Sequence, residues 1–131
     1  PGISPNLGVY PTEPEADTVG DWISSCRKLL RIADNNKLVL PGHKLPFTGL
    51  SIRLEQLIRN HKSAIKRIER RLSKGPLNTV DLFRTIFKRE IKEKEYSLAL
   101  VEAVGHMNHL YAMGKVSREL NADGVYLWSK I

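Results

Sequence analysis

Four histidines and a single cysteine are the side chains of this 131-residue chain best suited to binding a transition metal. His43 has the most suggestive position, because the turn Pro41-Gly42-His43 directly follows the apolar run at residues 38–40. A strand that ends in a rigid turn can aim an imidazole past the edge of a sheet, and neutral imidazole is a good zinc ligand. A histidine in a turn is nevertheless more often a plain surface residue, so the turn alone makes His43 only a candidate.

The other candidates do not form a ligand set. His106 and His109 are three residues apart, but no acid or cysteine stands at ligand spacing from them. His61 falls on the apolar stripe of a long predicted helix, which favours a packed, hydrogen-bonded histidine over one that contacts a substrate. Cys26 is alone, so it cannot form a disulfide within the chain, and its apolar helix face predicts a buried side chain.

An amphipathic helix is predicted before the His43 turn. It begins after Asp17 or Thr18 and ends near Asn35, and its apolar residues recur at intervals of three and four: Val19, Trp22, Ile23, Cys26, Leu29, Leu30 and Ala33. Residues 38–40 are then expected to form a short buried strand. Residues 1–16 contain four prolines and predict a loop that wraps over a larger body.

Three helices and a hairpin are predicted after the turn, at residues 50–73, 79–87, 94–113 and 116–128. Asn78 or Thr79 would cap the short second helix, and Gly114 would end the third. This order is that of a winged helix-turn-helix over residues 50–131. The predicted fold class is therefore α+β, mostly α.

The net charge of +7 comes from one part of the chain, since residues 50–94 carry 13 Lys or Arg against 5 acidic residues. Such a surface could attract RNA or an anionic substrate. The helix at 94–113, which holds the position of a recognition helix, has no Lys or Arg after Lys94, so sequence-specific DNA binding is disfavoured. No apolar run reaches 18 residues, which argues against a membrane span.

The short motifs together resemble the carboxy-terminal end of metallo-β-lactamase-fold hydrolases. They are LVLPGH at residues 38–43, NHK at 60–62, GPLNT at 75–79 and the wing at 124–128. The resemblance implies that residues 1–49 are the last helix and strand of an αββα domain, followed by a winged-helix domain at 50–131. It also implies that His43 ligates one metal of a two-zinc site. Lys44 and Phe47 on the same turn, and His61 near the active-site mouth, would be candidates for contact with substrate. The favoured alternative for the first two is a solvated Lys44 and a Phe47 that packs against the following helix.

The sequence departs from that family in its metal ligands, since the main metal motif His-x-His-x-Asp-His is absent, and so are the family's middle histidine and bridging aspartate. We therefore expect the chain to be the carboxy-terminal part of a longer, cytoplasmic hydrolase and to be inactive and without tightly bound metal by itself. The parent would act on a small-molecule or acyl substrate, which could be an ester, thioester, lactam or phosphodiester. Whether it forms a homodimer is left open.

The sequence is also compatible with a different function. The winged helix could work alone as a nucleic-acid or protein-binding module, with residues 1–49 as a linker. The strand-turn motif and the apolar third helix favour the hydrolase.

Overall fold

The computed structural model describes residues 7–131 and confirms a mostly helical α+β chain. The helices are α1 (Thr18–Leu30), α2 (Leu50–Leu72), α3 (Phe83–Phe87) and α4 (Tyr96–Ala112), and the strands are β1 (Val116–Leu120) and β2 (Tyr126–Lys130). Short 3-10 turns at Val80–Leu82 and Glu93–Glu95 lead into α3 and α4. Pro1 and Pro5 of the predicted loop lie outside the described residues.

Helix α1 begins where the sequence predicts and ends earlier. The Asp17 carboxylate accepts a hydrogen bond from the Gly20 amide at 2.8 Å and so caps the helix. The helix ends at Leu30, and the amides of Arg31 and Ile32 continue it only as a turn, with bonds of 3.2 and 3.1 Å to the carbonyls of Lys28 and Leu29. The Asn35 side chain accepts a hydrogen bond from the Ser51 amide at 2.9 Å and so satisfies a backbone donor in the first turn of α2.

The prediction of a buried strand at residues 38–40 is wrong. Only an isolated antiparallel bridge forms, between Val39 and Phe47, with backbone hydrogen bonds of 2.8 and 3.1 Å. Leu38 and Leu40 are 65% and 75% exposed. A strand is buried only when neighbouring strands and a helical layer cover it, and residues 7–131 provide neither for this segment.

The predicted helix–helix–helix–hairpin order after the turn is present. The Asn78 side chain caps the short second helix by accepting from the Asp81 amide at 3.0 Å. Gly114, with φ of +66°, ends the third helix, and the Lys115 amide bonds to the Leu110 carbonyl at 3.0 Å. Strands β1 and β2 pair antiparallel from Val116↔Lys130 to Leu120↔Tyr126. The identification of this region as a winged helix-turn-helix stays a prediction.

The main hydrophobic core lies between α2, α3, α4 and the hairpin. Its largest fully buried members include Ile68, Leu82, Met107, Leu110 and Trp128. The middle of α4 lies in this core, as its apolar composition predicts, whereas its first turn is open and Leu98 is exposed. Helix α1 packs against α2 and α4, and the burial of Cys26 on α1 is confirmed.

Residues 7–17 wrap over α4, as the proline-rich composition predicts for the described part of that loop. The Val9 amide bonds to the Val101 carbonyl at 3.1 Å, and the Asn108 side-chain amide donates to the Pro14 carbonyl at 2.8 Å. Gly105 permits this close approach, because a Cβ there would lie 2.7 Å from the Leu7 carbonyl oxygen. The division of the chain into domains at residue 49 stays a prediction.

Arg118 on β1 connects residues 7–17 to the hairpin. Its guanidinium lies 4.7 Å from the ring centre of Tyr111 and 4.5 Å from that of Tyr126, and it donates two hydrogen bonds to the Glu15 carboxylate at 2.8 and 2.9 Å. The pKa of Arg118 is raised, chiefly by the hydrogen bond to Glu15. No local sequence pattern indicates this contact, because Glu15 and Arg118 are 103 residues apart.

Candidate functional site

The His43 turn is a closed loop on the surface of the chain. The bridge between Val39 and Phe47 holds its two ends together, and Pro41 and Pro46 restrict the backbone between them. His43 is exposed at the tip, with no hydrogen-bond partner in the described part of the chain. The turn therefore presents a free imidazole on a constrained backbone.

A complete metal site is not found within residues 7–131. These residues contain no group of three or more His, Cys, Asp or Glu placed to hold an ion together. Because a catalytic zinc needs about three protein ligands, His43 can supply one ligand but cannot retain the metal by itself. The donor set of this stretch does not fit a resident metal without further ligands.

The structure separates the other predicted site residues into two places. Lys44 is exposed beside His43 and has a left-handed backbone, with φ of +69°. Phe47 is half-buried where the loop closes. His61 lies instead on α2, where it contacts α4. The turn thus carries three of the four candidates, and their roles in binding metal or substrate stay predictions.

His61 contacts His106, and the sequence pattern predicts that His61 is packed but does not predict its partner. Its Nδ1 lies 3.5 Å from Nε2 of His106, whose Nδ1 lies 2.9 Å from the Glu102 carbonyl oxygen. A carbonyl only accepts, so Nδ1 of His106 carries the proton and Nε2 is free to accept from His61. The apolar stripe correctly predicts a packed His61, but His106 is 45 residues away and could not be identified as its partner.

Burial keeps both imidazoles of the pair neutral. It lowers the pKa of His61 to about 4, with a smaller contribution from His106 and His109, and it also lowers the pKa of His106. His109 lies about one turn further along α4, where its Nδ1 is 3.0 Å from the Asp17 carboxylate. The three histidines therefore serve packing and capping contacts in this part of the chain.

We expect the chain to lose stability as the pH falls from about 6.5 towards 4. The pKa of His61 is lower in the folded state than in the unfolded state, so the unfolded chain takes up the proton first. The stabilisation is complete above the unfolded pKa and should shrink by at most about 3 kcal/mol on acidification. Urea unfolding at pH 7.5 and pH 4.5 measures this decrease in the free energy of unfolding.

The variant His61→Gln isolates this contribution, because glutamine does not titrate. Its free energy of unfolding should change less between the two pH values than that of the unaltered chain. The exposed His43→Gln is the matched control and should keep the full pH dependence. An equal pH dependence in all three proteins would show that protonation of His61 does not oppose folding.

None of the helices within residues 7–131 is long and apolar enough to cross a lipid bilayer.

Comparison with known proteins gives a consistent group of relatives. Residues 65–131 match the family model described as metallo-beta-lactamase-like, C-terminal domain. A curated protein of Bacillus subtilis (strain 168), named "Probable metallo-hydrolase YqjP", is 24% identical over 106 residues, which are 81% of this chain and 32% of that protein.

Two solved structures resemble almost the whole chain. A beta-lactamase domain protein from Burkholderia ambifaria is 29% identical, with a TM-score of 0.91 over 98% of this chain and 38% of its own. A metallo-beta-lactamase family protein from Thermus thermophilus has a TM-score of 0.77 at 22% identity, with the same coverage, which shows a shared fold. The chain thus spans between about a third and two fifths of the length of these relatives.

Proposed function

Because this chain belongs to the metallo-β-lactamase-like family through the C-terminal domain at residues 65–131, we propose that it works as the carboxy-terminal part of a longer zinc-dependent hydrolase. His43 ligates one of two zinc ions, and the remaining ligands come from sequence that this chain does not contain. A hydrolase is in keeping with the name of the Bacillus subtilis relative.

The observation that carries this proposal is the exposed His43 turn with its uncovered apolar neighbours. Leu38, Leu40 and Leu45 all have more than half of their surface open, although they flank a rigid turn with a constrained histidine. Apolar side chains of this size gain stability when they are covered. A sheet from the rest of a longer protein would cover them and would bring further ligands towards His43.

The substrate is a small molecule with a hydrolysable ester, thioester, lactam or phosphodiester bond. Zinc held by His43 and ligands from the rest of the longer protein would supply an activated water near neutral pH and would polarise the bond to be cleaved. Lys44 would attract an anionic group of the substrate, and Phe47 would contact an apolar or acyl part. Residues 50–131, the predicted winged helix, would shape the cleft or a dimer contact.

The alternative of a stand-alone nucleic-acid module is not favoured. Helix α4 would have to present polar and basic side chains to a groove, but its middle is buried. His106 and Asn108 are only 2% and 4% exposed, and the open end of the helix carries Tyr96, Ser97 and Leu98.

A chimera tests the proposal. The matched segment of the Burkholderia ambifaria protein is replaced by this chain, because the two backbones agree at a TM-score of 0.91. We expect the chimera to bind zinc and to hydrolyse the same model substrates as the donor, whereas the donor without its matched segment should do neither. Zinc content is measured by mass spectrometry, and hydrolysis is followed on aryl ester, thioester, lactam and phosphodiester substrates.

The result that would contradict the proposal is a folded chimera without zinc. Circular dichroism and size-exclusion chromatography establish that the chimera folds. If it folds and retains no more zinc than the donor without its matched segment, the chain does not complete a metal site.

A further inference from the structure

A groove lies between α1, α2 and α4, apart from the His43 turn. Its volume is about 360 Å³, which is in the range of small-molecule sites. Ile23 of α1, Ile65 of α2 and Met113 at the end of α4 give it an apolar wall. No residue of the His43 turn lines it, so it is independent of the proposed zinc site.

Three cations that line the same groove have no ionic partner within residues 7–131. They are Arg27 of α1 and Lys62 and Lys66 of α2, and none of them has an ion pair or hydrogen bond with another residue in 7–131. Lys115 also lines the groove, but its ammonium is paired with the Glu69 carboxylate at 3.0 Å. Lys62 and Lys66 are one helical turn apart, where like charges repel each other. An anion between them would relieve that repulsion.

We propose that this groove binds a small amphipathic phosphate monoester. The phosphate oxygens accept charge-assisted hydrogen bonds from Lys62, Lys66 and Arg27, which together match a dianion. The apolar group attached to the phosphate lies on Ile23, Ile65 and Met113, where its burial adds affinity. The combination of an apolar wall with unpaired cations at its side fits an amphipathic molecule better than inorganic phosphate.

A polynucleotide fits the groove less well. Proteins that bind single strands combine a basic track with aromatic side chains on which bases stack. Among the residues from 7 onwards, no Phe, Tyr or Trp lines this groove. Two side chains that line the groove already have partners within the chain, since Lys115 binds Glu69 and His109 binds Asp17. The groove is therefore suited to a compact ligand.

Isothermal titration calorimetry of the 131-residue chain tests the proposal. The probes are octyl phosphate below its micelle-forming concentration, inorganic phosphate, and vesicles that contain phosphatidic acid. We expect octyl phosphate to bind with one-to-one stoichiometry and at least about tenfold more tightly than inorganic phosphate, because only the former uses the apolar wall. Monomeric octyl phosphate should bind without any vesicle surface.

Single substitutions locate the site. Lys62→Ala and Lys66→Ala should each weaken octyl phosphate binding about tenfold, because each removes a charge-assisted hydrogen bond. Lys74→Ala removes the same charge beyond the end of α2, outside the groove, and should leave the affinity unchanged. Ser24→Trp adds a large side chain at the exposed edge of the groove and should weaken octyl phosphate more than inorganic phosphate.

Three results would overturn the proposal. The first is an equal loss of affinity in Lys74→Ala and Lys66→Ala, which would indicate a general charge effect. The second is inorganic phosphate binding as tightly as octyl phosphate. The third is binding to vesicles alone, which would make α2 a membrane-facing surface and not a small-molecule site.

Discussion

Replacing His43 by Ala in the chimera is expected to lower zinc content and hydrolysis together. Loss of a residue that only orients a metal ligand lowers metal affinity or activity about 10- to 100-fold. Loss of the ligand itself should cost more, so hydrolysis should fall at least about 100-fold. Zinc should fall from about two ions per chain towards one, because the proposed site holds two and His43 serves only one of them. Mass spectrometry and steady-state rates on the chimera measure both quantities.

Two further variants of the chimera make this test specific. Cysteine is also a zinc ligand, so His43→Cys should retain more zinc than His43→Ala. Lys37→Ala changes an exposed charge close to the turn and should leave zinc content and rate unchanged. His43 is exposed and has no partner in the described part of the chain, so its loss should change stability by less than about 0.5 kcal/mol. Normal zinc and normal rates in His43→Ala would remove the basis of the proposed function.

The substitution with the largest expected effect on stability is Trp128→Ala. Trp128 is 2% exposed in the main core, and its indole N–H donates to the Thr79 hydroxyl at 3.0 Å. Its backbone also pairs with Leu77 through hydrogen bonds of 2.8 and 3.1 Å. Loss of the side chain leaves a cavity and should cost about 3–5 kcal/mol, a large part of the total stability of a small domain.

Urea unfolding of the 131-residue chain measures this loss, and two milder variants separate its causes. Trp128→Phe keeps most of the aromatic packing, and Thr79→Val removes only the acceptor of the indole hydrogen bond, which should cost about 1–3 kcal/mol. If Trp128→Ala were no more destabilising than Thr79→Val, the hairpin would not be part of the main core.

Both the main core and the groove proposed to bind a phosphate monoester depend on how the hairpin and α1 close around α2 and α4. The hairpin contributes Val116 and Trp128 to the main core, while α1 contributes Ile23 and Arg27 to the groove. The main core and the proposed ligand site thus involve different neighbours of the helix pair α2 and α4. A loss of stability from Trp128→Ala should therefore be separable from the changes in affinity that Lys62→Ala and Lys66→Ala produce.

The helices, their caps and the hairpin could be predicted from local patterns of residues. The apolar spacing of α1 and α2, the Asp17 cap and the glycine at position 114 are signals that act within a few residues, so they are readable without knowledge of the rest of the fold. The single His43 turn and the short motifs around it were also enough to indicate the family.

The features that join distant parts of the chain became visible only in the folded structure. Residues 38–40 have strand composition, but they pair only at Val39, because a strand depends on neighbours that a local pattern cannot supply. The contact between His61 and His106 and the groove of Arg27, Lys62 and Lys66 likewise depend on how α1, α2 and α4 pack. Periodicity shows which face of a helix is apolar, but the neighbour that this face meets follows from the packing of the whole chain.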